Sequence, residues 1–548
     1  MSGNPKAAAQ PDLTQRQRQI LKLLQAGKVN KEVARELDIG VGTVKQHIVA
    51  LFKKLNVTNR AMAVSRGMDI LHEQENHGSK LSVDGLLERR PCVVLSVALP
   101  EDASQLAVRL MHGALVALAS SNDAVFLARK GNAGDVIFGI QRVTEYDLAI
   151  ALQTARAVYS DLLAADAGMA EKMRGCVSAG LAIASMKRFG GWTGEAIASA
   201  VIASARELLN NTPPGCLSFD VATLDLIGVF GIGRSQEVTP VMAFSELENL
   251  HWTGTRRAHP LFGRADELAT LDAAMSEAAK GNGGLIHVEG EMGMGKTRLC
   301  DEVLQHCLSL GGQAKYFRCL PAVLGSGLYD SGKRANCGVE EVSAHLRAKP
   351  VCPPELAILD DFHLLTREQQ DLLSAAGAEA VANGKLVIFS GRRGVIGSGS
   401  HPAESINLRR LSADAIHALV RESLGKDAAK AGASEVQDIS SEAAGVPLFA
   451  VELARHHDVE LLALPLLVVV TARLDSLSLD RHFLRAVARN PVDATLDEVA
   501  EILGETAESL RPQLEHAMTA GVLSRSADGY LSFTHPLLRR AIDCLVME

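Results

Sequence analysis

The 548-residue sequence is poor in aromatic side chains and has no long apolar run. Aromatic residues make up 4% of the chain, but apolar residues make up 47% and charged residues 22%, so a globular core is still expected. The longest mainly apolar run, residues 461–472, is about half the length that a membrane-spanning helix needs. The polar N-terminal stretch lacks the apolar segment of a signal peptide. We therefore expect a cytoplasmic protein with no membrane partner.

Cysteine is present without a recognisable pattern. The nine cysteines include no CxxC pair, the spacing that zinc sites and redox motifs use. Because they are spread along the chain, they are interpreted as reduced, buried thiols. This interpretation argues against a disulfide scaffold and against a cysteine-based zinc site.

Charge is distributed unevenly along the chain. The formal net charge is −8, but residues 1–72 contain 12 Lys or Arg and only 5 Asp or Glu. A small basic module attached to a large acidic body is typical of a protein that contacts nucleic acid at one end. At roughly 150 residues per domain, the length predicts three or four domains.

The basic N-terminal segment has the apolar spacing of four short helices. It resembles the LuxR-type helix-turn-helix domain through Asn30-Lys31-Glu32-Val33-Ala34, Thr43-Val44-Lys45-Gln46-His47 and Asn59-Arg60. The resemblance implies a DNA-binding domain over residues 1–75 whose third helix enters the major groove. A small helical bundle that binds proteins would explain the helices but not the positive charge.

Within that domain, Gln46 is expected to read a base edge, and Lys45 to contact a base or a phosphate. The remaining basic and polar side chains are expected to hold phosphates, which position the protein without specifying sequence. The predicted DNA-contacting set is Thr43, Lys45, Gln46, His47, Lys53, Lys54 and Arg60.

Residues 91–225 alternate between β-branched apolar runs and Ala-rich helical segments, which predicts an α/β domain. The segment resembles a class III nucleotide cyclase domain through Gly134-Asp135-Val136-Ile137-Phe138 and Val177-Ser178-Ala179-Gly180-Leu181-Ala182. Catalysis in that family uses two aspartates on two metal ions. Val97 and Ala98 occupy the place of one aspartate, and Ile202 occupies that of the ribose-orienting asparagine. We therefore expect a degenerate sensor or dimerisation domain, followed by a connector over residues 226–258.

The strongest chemical motif is a phosphate-binding loop. An apolar strand at residues 285–288 leads into Gly290-Glu291-Met292-Gly293-Met294-Gly295-Lys296-Thr297, and a helix follows. Gly290, Gly293 and Gly295 allow backbone N–H groups to converge on a phosphate. Lys296 is expected to bridge the β- and γ-phosphates of ATP, and Thr297 to hold Mg²⁺. ATP or ADP with Mg²⁺ is therefore the predicted cofactor.

A second buried strand, residues 356–359, ends in two aspartates. Beside a phosphate loop, Asp360 is expected to contact the water shell of Mg²⁺, and Asp361 to be the catalytic group that orients the attacking water. The next strand leads to Arg392 and Arg393. Either arginine could sense the γ-phosphate or could be a surface charge, and both alternatives stay open.

Residues 260–548 resemble the STAND class of switch-like P-loop ATPases. The matching motifs are Leu261-Phe262-Gly263-Arg264-Ala265-Asp266-Glu267-Leu268, Gly445-Val446-Pro447-Leu448-Phe449 and Phe533-Thr534-His535-Pro536. The resemblance implies that Gly263 and Arg264 approach the adenine, that Pro447 lies in a helical lid, and that His535 contacts the β-phosphate of ADP. It also implies a P-loop core over residues 259–405, a lid over 406–458, a winged helix over 459–548, and a homo-oligomer in the ATP state.

The predicted fold class is therefore multidomain α/β: an all-α helix-turn-helix, a cyclase-like α/β domain, and a P-loop core with a helical lid and a winged helix. The sequence favours a transcription regulator that binds double-stranded promoter DNA. Its ATPase is expected to be slow and to work as a switch. RNA polymerase and an unknown inducer are the other expected partners. Two alternatives stay open. One is a nucleotide cyclase with regulatory ATPase and DNA-binding domains, and the other is a nucleotide-gated protein scaffold.

Overall fold

The computed structural model describes residues 85–129, 131–230, 232–233, 238–249, 251–252, 260–320, 328–330, 335–392, 404–425, 432–456, 462–490 and 493–547. Everything stated below about structure concerns these residues. The predicted helix-turn-helix and one of the two candidate sensor arginines lie outside them, so eight of the predicted site residues have no structural account: Thr43, Lys45, Gln46, His47, Lys53, Lys54, Arg60 and Arg393.

The first described domain, called here the middle domain, alternates strands and helices as the sequence predicts. Its strands are β1 (Leu86–Ala98), β2 (Val125–Ala128), β3 (Ala133–Phe138), β4 (Arg174–Met186), β5 (Cys216–Phe219), β6 (Ile232–Gly233), β7 (Val241–Ala243) and β8 (His251–Trp252). Its helices are α1 (Gln105–Ser121), α2 (Asp147–Ala165), α3 (Ala167–Ala170), α4 (Ala200–Asn211) and α5 (Val221–Val229). Six strands form one sheet in the order β2-β3-β1-β4-β5-β7, and β6 pairs with β8.

The long strand β1 is the centre of this sheet, because it pairs antiparallel with both β3 and β4. Helix α1 packs on the sheet through a face of residues spaced four apart, Ala107, Met111, Leu115 and Ala119, all of which are buried. Its N-terminus is fixed by Ser104, whose side chain accepts a hydrogen bond from the backbone N–H of Ala107.

Part of the segment predicted to be a connector belongs to the sheet. Residues Val241–Ala243 form β7, which pairs antiparallel with β5 at the edge. The following 3₁₀ turn, Phe244–Asn249, buries Phe244 and Leu247 in the core of the middle domain. The connector prediction was wrong here because a three-residue strand is too short to show a period of two.

The second domain contains a seven-stranded sheet. Its strands are β9 (Gly284–Glu289), β10 (Gln313–Cys319), β11 (Leu328–Asp330), β12 (Ala335–Cys337), β13 (Glu355–Asp360), β14 (Leu386–Gly391) and β15 (Glu404–Asn407), in the order β12-β11-β10-β13-β14-β9-β15. Its helices are α6 (Ala265–Ala279), α7 (Lys296–Ser309), α8 (Val339–Arg347) and α9 (Arg367–Ala382). The five strands from β10 to β15 in this order are parallel, so their carboxyl ends meet at one edge.

The C-terminal part is mainly helical. Three helices follow the sheet and correspond to the segment predicted to be a lid, so they are called the lid here: α10 (Ala413–Leu424), α11 (Ala433–Ala443) and α12 (Pro447–Arg455). The last part contains α13 (Leu464–Leu477), α14 (Arg481–Arg489), β16 (Ala494–Thr495), α15 (Leu496–Leu503), α16 (Ala507–Thr519), β17 (Leu523–Arg525), β18 (Tyr530–Phe533) and α17 (Pro536–Leu545). Strands β17 and β18 confirm the strand pair predicted around the Ala-Asp-Gly turn.

Residues 464–472 of the long apolar run lie in α13, and Pro465 to Ala472 are all buried inside the protein. None of the described helices combines the length and the apolar character required to cross a bilayer. Val468 and Ala472 of α13 belong to the same core as the middle domain. The apolar run is therefore explained by packing between two parts of the chain.

A buried group of four charged side chains, called here the ion cluster, joins the middle domain to this C-terminal part. Arg90 of β1 pairs with Asp475 of α13 at 2.5 Å, and Arg481 of α14 pairs with Glu88 of β1 at 2.6 Å. Arg481 also pairs with Asp475. All four are at most 8% exposed, and Asp475 additionally accepts a 2.7 Å hydrogen bond from the backbone N–H of Val143. The segment that begins at Val143 is thereby fixed to α13 of the C-terminal part.

Candidate functional site

The phosphate loop lies between β9 and α7, where the sequence predicts it. Gly293 has a φ of +77° and Gly295 has a φ of +86°, conformations that a residue with a Cβ rarely adopts. A Cβ on Gly290 would lie 3.2 Å from the Cβ of Leu408, so the loop passes close to the end of β15. Gly295 also caps helix α7, which therefore directs its free N–H groups toward the loop.

Lys296 is folded inside this loop. Its side chain is buried, and its Nζ donates 3.0 Å hydrogen bonds to the carbonyl oxygens of Gly290 and Glu291. Both partners are neutral carbonyl groups, so neither hydrogen bond is an ion pair. A buried ammonium group beside a helix N-terminus and a glycine-rich loop fits the phosphates of a nucleotide.

Asp360, at the carboxyl end of β13, is completely buried among hydrogen-bond donors. The hydroxyl of Thr297 donates to it at 2.8 Å and that of Tyr316 at 2.7 Å, and the hydroxyl of Ser390 is a third donor. Burial alone would raise the pKa of Asp360, but the charge of Arg318 and these hydrogen bonds lower it below its usual value. Asp360 is therefore an anion beside the hydroxyl of Thr297. Oxygen ligands of these kinds are the ones that Mg²⁺ prefers.

Asp361 has a different environment although it is the next residue. Its backbone φ of +58° turns the chain sharply after β13. Its carboxylate accepts a 3.3 Å hydrogen bond from Arg318 and a 3.4 Å hydrogen bond from the hydroxyl of Tyr146. Burial and the neighbouring charge of Asp360 raise the pKa of Asp361. Two adjacent carboxyls with pKa values shifted in opposite directions fit two roles, one binding a cation and one accepting a proton.

Two residues of the middle domain, Glu145 and Tyr146, also reach this site. The guanidinium of Arg392 donates to the Glu145 carboxylate at 3.3 Å, while the hydroxyl of Tyr146 contacts Asp361. Burial and the charge of Asp361 raise the pKa of Glu145 to about 7, although Arg392 and Lys296 oppose the shift. No sequence motif marks these residues, because only folding brings the middle domain to the end of the parallel sheet.

Tyr316 and Arg318 were also missed by sequence reasoning. They lie on β10, which pairs in parallel with β13 so that Arg318 stands opposite Asp360. A signal for them exists in the sequence, since side chains at the carboxyl ends of neighbouring parallel strands meet at one edge. Recognising the signal would have required recognising β10 as the neighbour of β13.

A cavity of about 300 Å³ extends from the phosphate loop toward the lid. At its phosphate end lie Lys296, Thr297 and Asp361, and Glu145 and Tyr146 line the same cavity. Away from them the walls are largely apolar and would suit a purine base. Those walls include Pro260, Leu261, Phe262, Phe230, Leu411, Leu419, Pro447, Leu448 and Val451. The lid is held to the loop by the backbone N–H of Leu448, which donates to the carbonyl of Gly293 at 3.2 Å.

Arg264, predicted to approach the adenine, lines the cavity but mainly supports the loop. Its guanidinium donates to the carbonyl of Met294 at 3.1 Å and to that of Arg409 at 2.8 Å, and it pairs with Glu267 at 3.0 Å. Gly263 precedes it with a φ of +64°, and a Cβ there would lie 2.7 Å from the Cβ of Ala415. These two residues therefore tie the start of the domain to the loop and to the lid.

The structure does not bring His535 to the cavity. Its Nδ1 accepts a hydrogen bond from the backbone N–H of Leu537, and its Nε2 lies 3.1 Å from the carbonyl of Ala443. Burial lowers the pKa of His535 to about 4, which makes the ring neutral. In this conformation both ring nitrogens serve the packing of α17 against α11, so the predicted contact with a β-phosphate is not made.

The cyclase resemblance predicts a metal-binding aspartate at Asp135 of the middle domain, and this residue is buried. It accepts hydrogen bonds from the Ser96 hydroxyl at 2.7 Å, from Arg206 at 3.1 Å and from Arg129 at 3.3 Å. Ser96 is also its partner across β1 and β3. The carboxylate is thus already neutralised by two arginines, and its cross-strand neighbour is a hydroxyl instead of a second carboxylate. These residues do not fit a two-metal site.

Comparison with protein-family models identifies two segments. Residues 11–66 match the model described as bacterial regulatory proteins of the luxR family. Residues 260–389 match the model described as the AAA ATPase domain. The chain therefore combines a luxR-family helix-turn-helix segment with an AAA ATPase domain.

Similar curated proteins match short segments only. The putative HTH-type transcriptional regulator YhjB of Escherichia coli is 51% identical over 51 residues, which are 9% of this chain and 26% of that protein. The HTH-type transcriptional regulator MalT of Vibrio cholerae is 40% identical over 67 residues, which are 12% of this chain and 7% of that protein. The chain thus spans about a quarter or less of these relatives, and the likeness concerns a segment.

Two solved structures are similar at a low level. The Walker-type ATPase paby2304 of Pyrococcus abyssi is 13% identical with a TM-score of 0.35, covering 52% of this chain and 96% of that chain. The guanylyl cyclase Cya2 is 14% identical with a TM-score of 0.21, covering 26% of this chain and 80% of that chain.

Proposed function

We propose that this chain is a transcription regulator in which ATP or ADP, bound by the AAA ATPase domain, controls whether the helix-turn-helix segment binds promoter DNA. The observation that carries the proposal is the cavity at the end of one parallel sheet that Lys296, Thr297 and Asp361 line, with the buried Asp360 hydrogen-bonded to Thr297. The two family matches support its DNA-binding part and its ATPase part. We further propose that the ATPase part of the chain belongs to the STAND class.

Different residues of the site would contact different parts of the nucleotide. The phosphate loop and Lys296 would bind the β- and γ-phosphates, and the apolar walls would hold the base. Thr297 and Asp360 would hold Mg²⁺, which supplies positive charge to the phosphates. Asp361 would orient a water molecule and accept its proton, a role for which a raised pKa is suited. The expected activity is a slow ATPase that works as a switch.

The middle domain offers a route by which the nucleotide is sensed elsewhere in the chain. Tyr146 contacts the proposed catalytic group Asp361, and Glu145 contacts Arg392 at the end of β14. A change of charge at the terminal phosphate would alter both contacts directly. The middle domain would therefore act as a sensor or dimerisation module, consistent with the occupied carboxylate of Asp135.

At the DNA end, Gln46 would read a base and the basic side chains around it would bind phosphates of a double-stranded promoter. We further propose that the regulator acts in the cytoplasm with RNA polymerase, that an inducer biases the nucleotide state, and that the ATP state forms a homo-oligomer. A nucleotide-gated scaffold without DNA binding is the competing function.

The test is footprinting of the full chain on the promoter regions that neighbour its own gene, with Mg²⁺ and either ADP or a non-hydrolysable ATP analogue. Protection of a defined site that depends on the nucleotide supports the proposal. Absence of any salt-dependent duplex binding in both states would overturn it in favour of the scaffold.

A further inference from the structure

The phosphate end of the cavity is partly closed by a carboxylate that belongs to another domain. Glu145 lines the cavity together with Lys296 and Thr297, and its side chain is 23% exposed. Its partner is Arg392, 3.3 Å away. An acidic side chain is thus located where the phosphates of a nucleotide are expected to end.

Charges of both signs act on the carboxyl of Glu145. Burial and the charge of Asp361 raise its pKa to about 7, whereas the charges of Arg392, Lys296 and Arg318 favour its anion. The same three cations would act on the terminal phosphate of a triphosphate. A γ-phosphate and Glu145 would therefore compete for one set of positive charges, and together with Asp361 they would repel each other.

The residues before and after Glu145 in the sequence hold it in this place. Before it, the N–H of Val143 donates to Asp475 of the ion cluster at 2.7 Å, and the N–H of Thr144 donates to Asp147 at 3.0 Å. After it, the hydroxyl of Tyr146 contacts Asp361. Residues 143–147, called here the acidic segment, are thus anchored to two parts of the chain outside the middle domain.

We propose that Glu145 takes the place of a terminal phosphate, so that this conformation accepts a nucleoside diphosphate and rejects a triphosphate until the acidic segment withdraws. The proposal rests on the proposed function, because it names the residue that makes the switch distinguish ADP from ATP. Binding of ATP would displace Glu145 from Arg392. Because Val143 lies in the same segment, the displacement would also strain the hydrogen bond from the Val143 N–H to Asp475. The exchange of one anion for another is therefore coupled to the contact between domains.

The experiment is calorimetric titration of the full chain with ADP and with a non-hydrolysable ATP analogue, both with Mg²⁺. The variants are Glu145→Gln, which keeps the shape and removes the charge, and Glu145→Ala. Glu195→Gln, on an exposed residue of the same domain, is the matched control. We expect the wild type and the control to prefer ADP, and both Glu145 variants to bind the ATP analogue about tenfold more tightly with little change for ADP, the size of one like-charge repulsion of about 1.4 kcal/mol.

The outcomes separate this inference from the proposed function when Lys296→Ala is titrated in parallel. If Lys296→Ala loses both nucleotides and the Glu145 variants keep the wild-type ratio of ADP to ATP affinity, the inference is wrong and the nucleotide site stands. An equal loss of both nucleotides in the Glu145 variants also overturns it. If the wild type binds neither nucleotide, or Lys296→Ala binds both normally, the proposed function itself fails.

Discussion

The hydroxyl of Thr297 donates a 2.8 Å hydrogen bond to the carboxylate of Asp360, which lies 63 residues further along the chain. Thr297 lies in the first turn of a helix and Asp360 ends a strand, and the parallel sheet places both at one edge. The two residues predicted to hold Mg²⁺ are therefore in direct contact. These two oxygen-bearing side chains would hold the ion, which would supply positive charge to the phosphates.

Lys296→Ala is expected to weaken ATP and ADP binding by at least tenfold, because it removes the buried charge that faces the phosphates. Calorimetry with each nucleotide and Mg²⁺ measures the loss. Lys280→Ala is the matched control, since Lys280 is 66% exposed and pairs with Glu277 outside the cavity. Equal affinities for Lys296→Ala and the control would refute the phosphate-loop assignment.

Asp361→Asn is expected to keep nucleotide binding but to slow ATP hydrolysis about a hundredfold, since an amide cannot accept the proton of the attacking water. Steady-state phosphate release, with affinity measured separately, separates the two effects. Asp371→Asn, on the exposed side of α9, serves as the control. An unimpaired rate in Asp361→Asn would show that another group orients the water.

The sequence predicts the parts of the site that are marked by local motifs, and it does not predict the parts that depend on contacts between segments far apart in the chain. The phosphate loop and the Asp360-Asp361 pair were predictable, since each is a local pattern with a strand before it. Glu145 and Tyr146 were not, because their role follows from the packing of one domain on another. His535 shows the opposite limit, since a family motif implied a nucleotide contact, but in this conformation the ring is bonded to the backbone of Ala443 and Leu537.

The purified chain with Mn²⁺ and ATP or GTP is expected to yield no cyclic nucleotide above a blank. The lone carboxylate, Asp135, is already held by Arg206 and Arg129, and Ser96 stands opposite it. Asp135→Asn should instead lower the free energy of unfolding by about 2 kcal/mol, because it weakens hydrogen bonds to charged groups. Robust product from the wild type would favour the cyclase alternative.

A buried carboxyl in the lid predicts a pH dependence of stability. Burial raises the pKa of Glu452 from 4.5 to about 7, with Arg455 opposing the shift and Asp225 adding to it. The folded chain thus holds this proton more tightly than the unfolded chain, so the stabilisation is complete below about pH 4.5 and is lost as pH rises to about 7. The loss is at most about 3 kcal/mol.

Glu452→Gln should remove that dependence. The thermal midpoint of the variant relative to wild type should therefore be higher at pH 8 than at pH 5, measured without nucleotide. Glu442→Gln is the control, because Glu442 lies in the same lid and pairs with Arg540 outside the cavity lining. A difference between wild type and Glu452→Gln that stays constant from pH 5 to pH 8 would contradict the assignment.

The DNA contacts of the helix-turn-helix segment should divide into two classes. Lys54→Ala and Arg60→Ala are expected to weaken binding to all duplexes and each to reduce the salt slope by about one, because each phosphate contact releases roughly one counterion. Gln46→Ala should instead reduce the preference for the operator by about 1 to 3 kcal/mol.

Affinity of the full chain for operator and scrambled duplex at several salt concentrations, in a fixed nucleotide state, distinguishes the two classes. If Gln46→Ala lowers affinity equally on both duplexes, or if the salt slope does not change in the basic variants, the third helix does not read DNA. The N-terminal segment would then be assigned as a protein-binding bundle.

The ion cluster has a consequence for how the chain can be divided. Arg90 and Glu88 are supplied by the first strand of the middle domain, and Asp475 and Arg481 by helices nearly 400 residues later, at separations of 385 and 393 residues. A truncation that removes either pair would leave the other pair buried without its partners, a change that usually costs several kcal/mol. The middle domain is therefore a separate segment of the sequence, but its stability depends on the C-terminal helices. Exchanging it for a homologous domain would require transferring α13 and α14 with it.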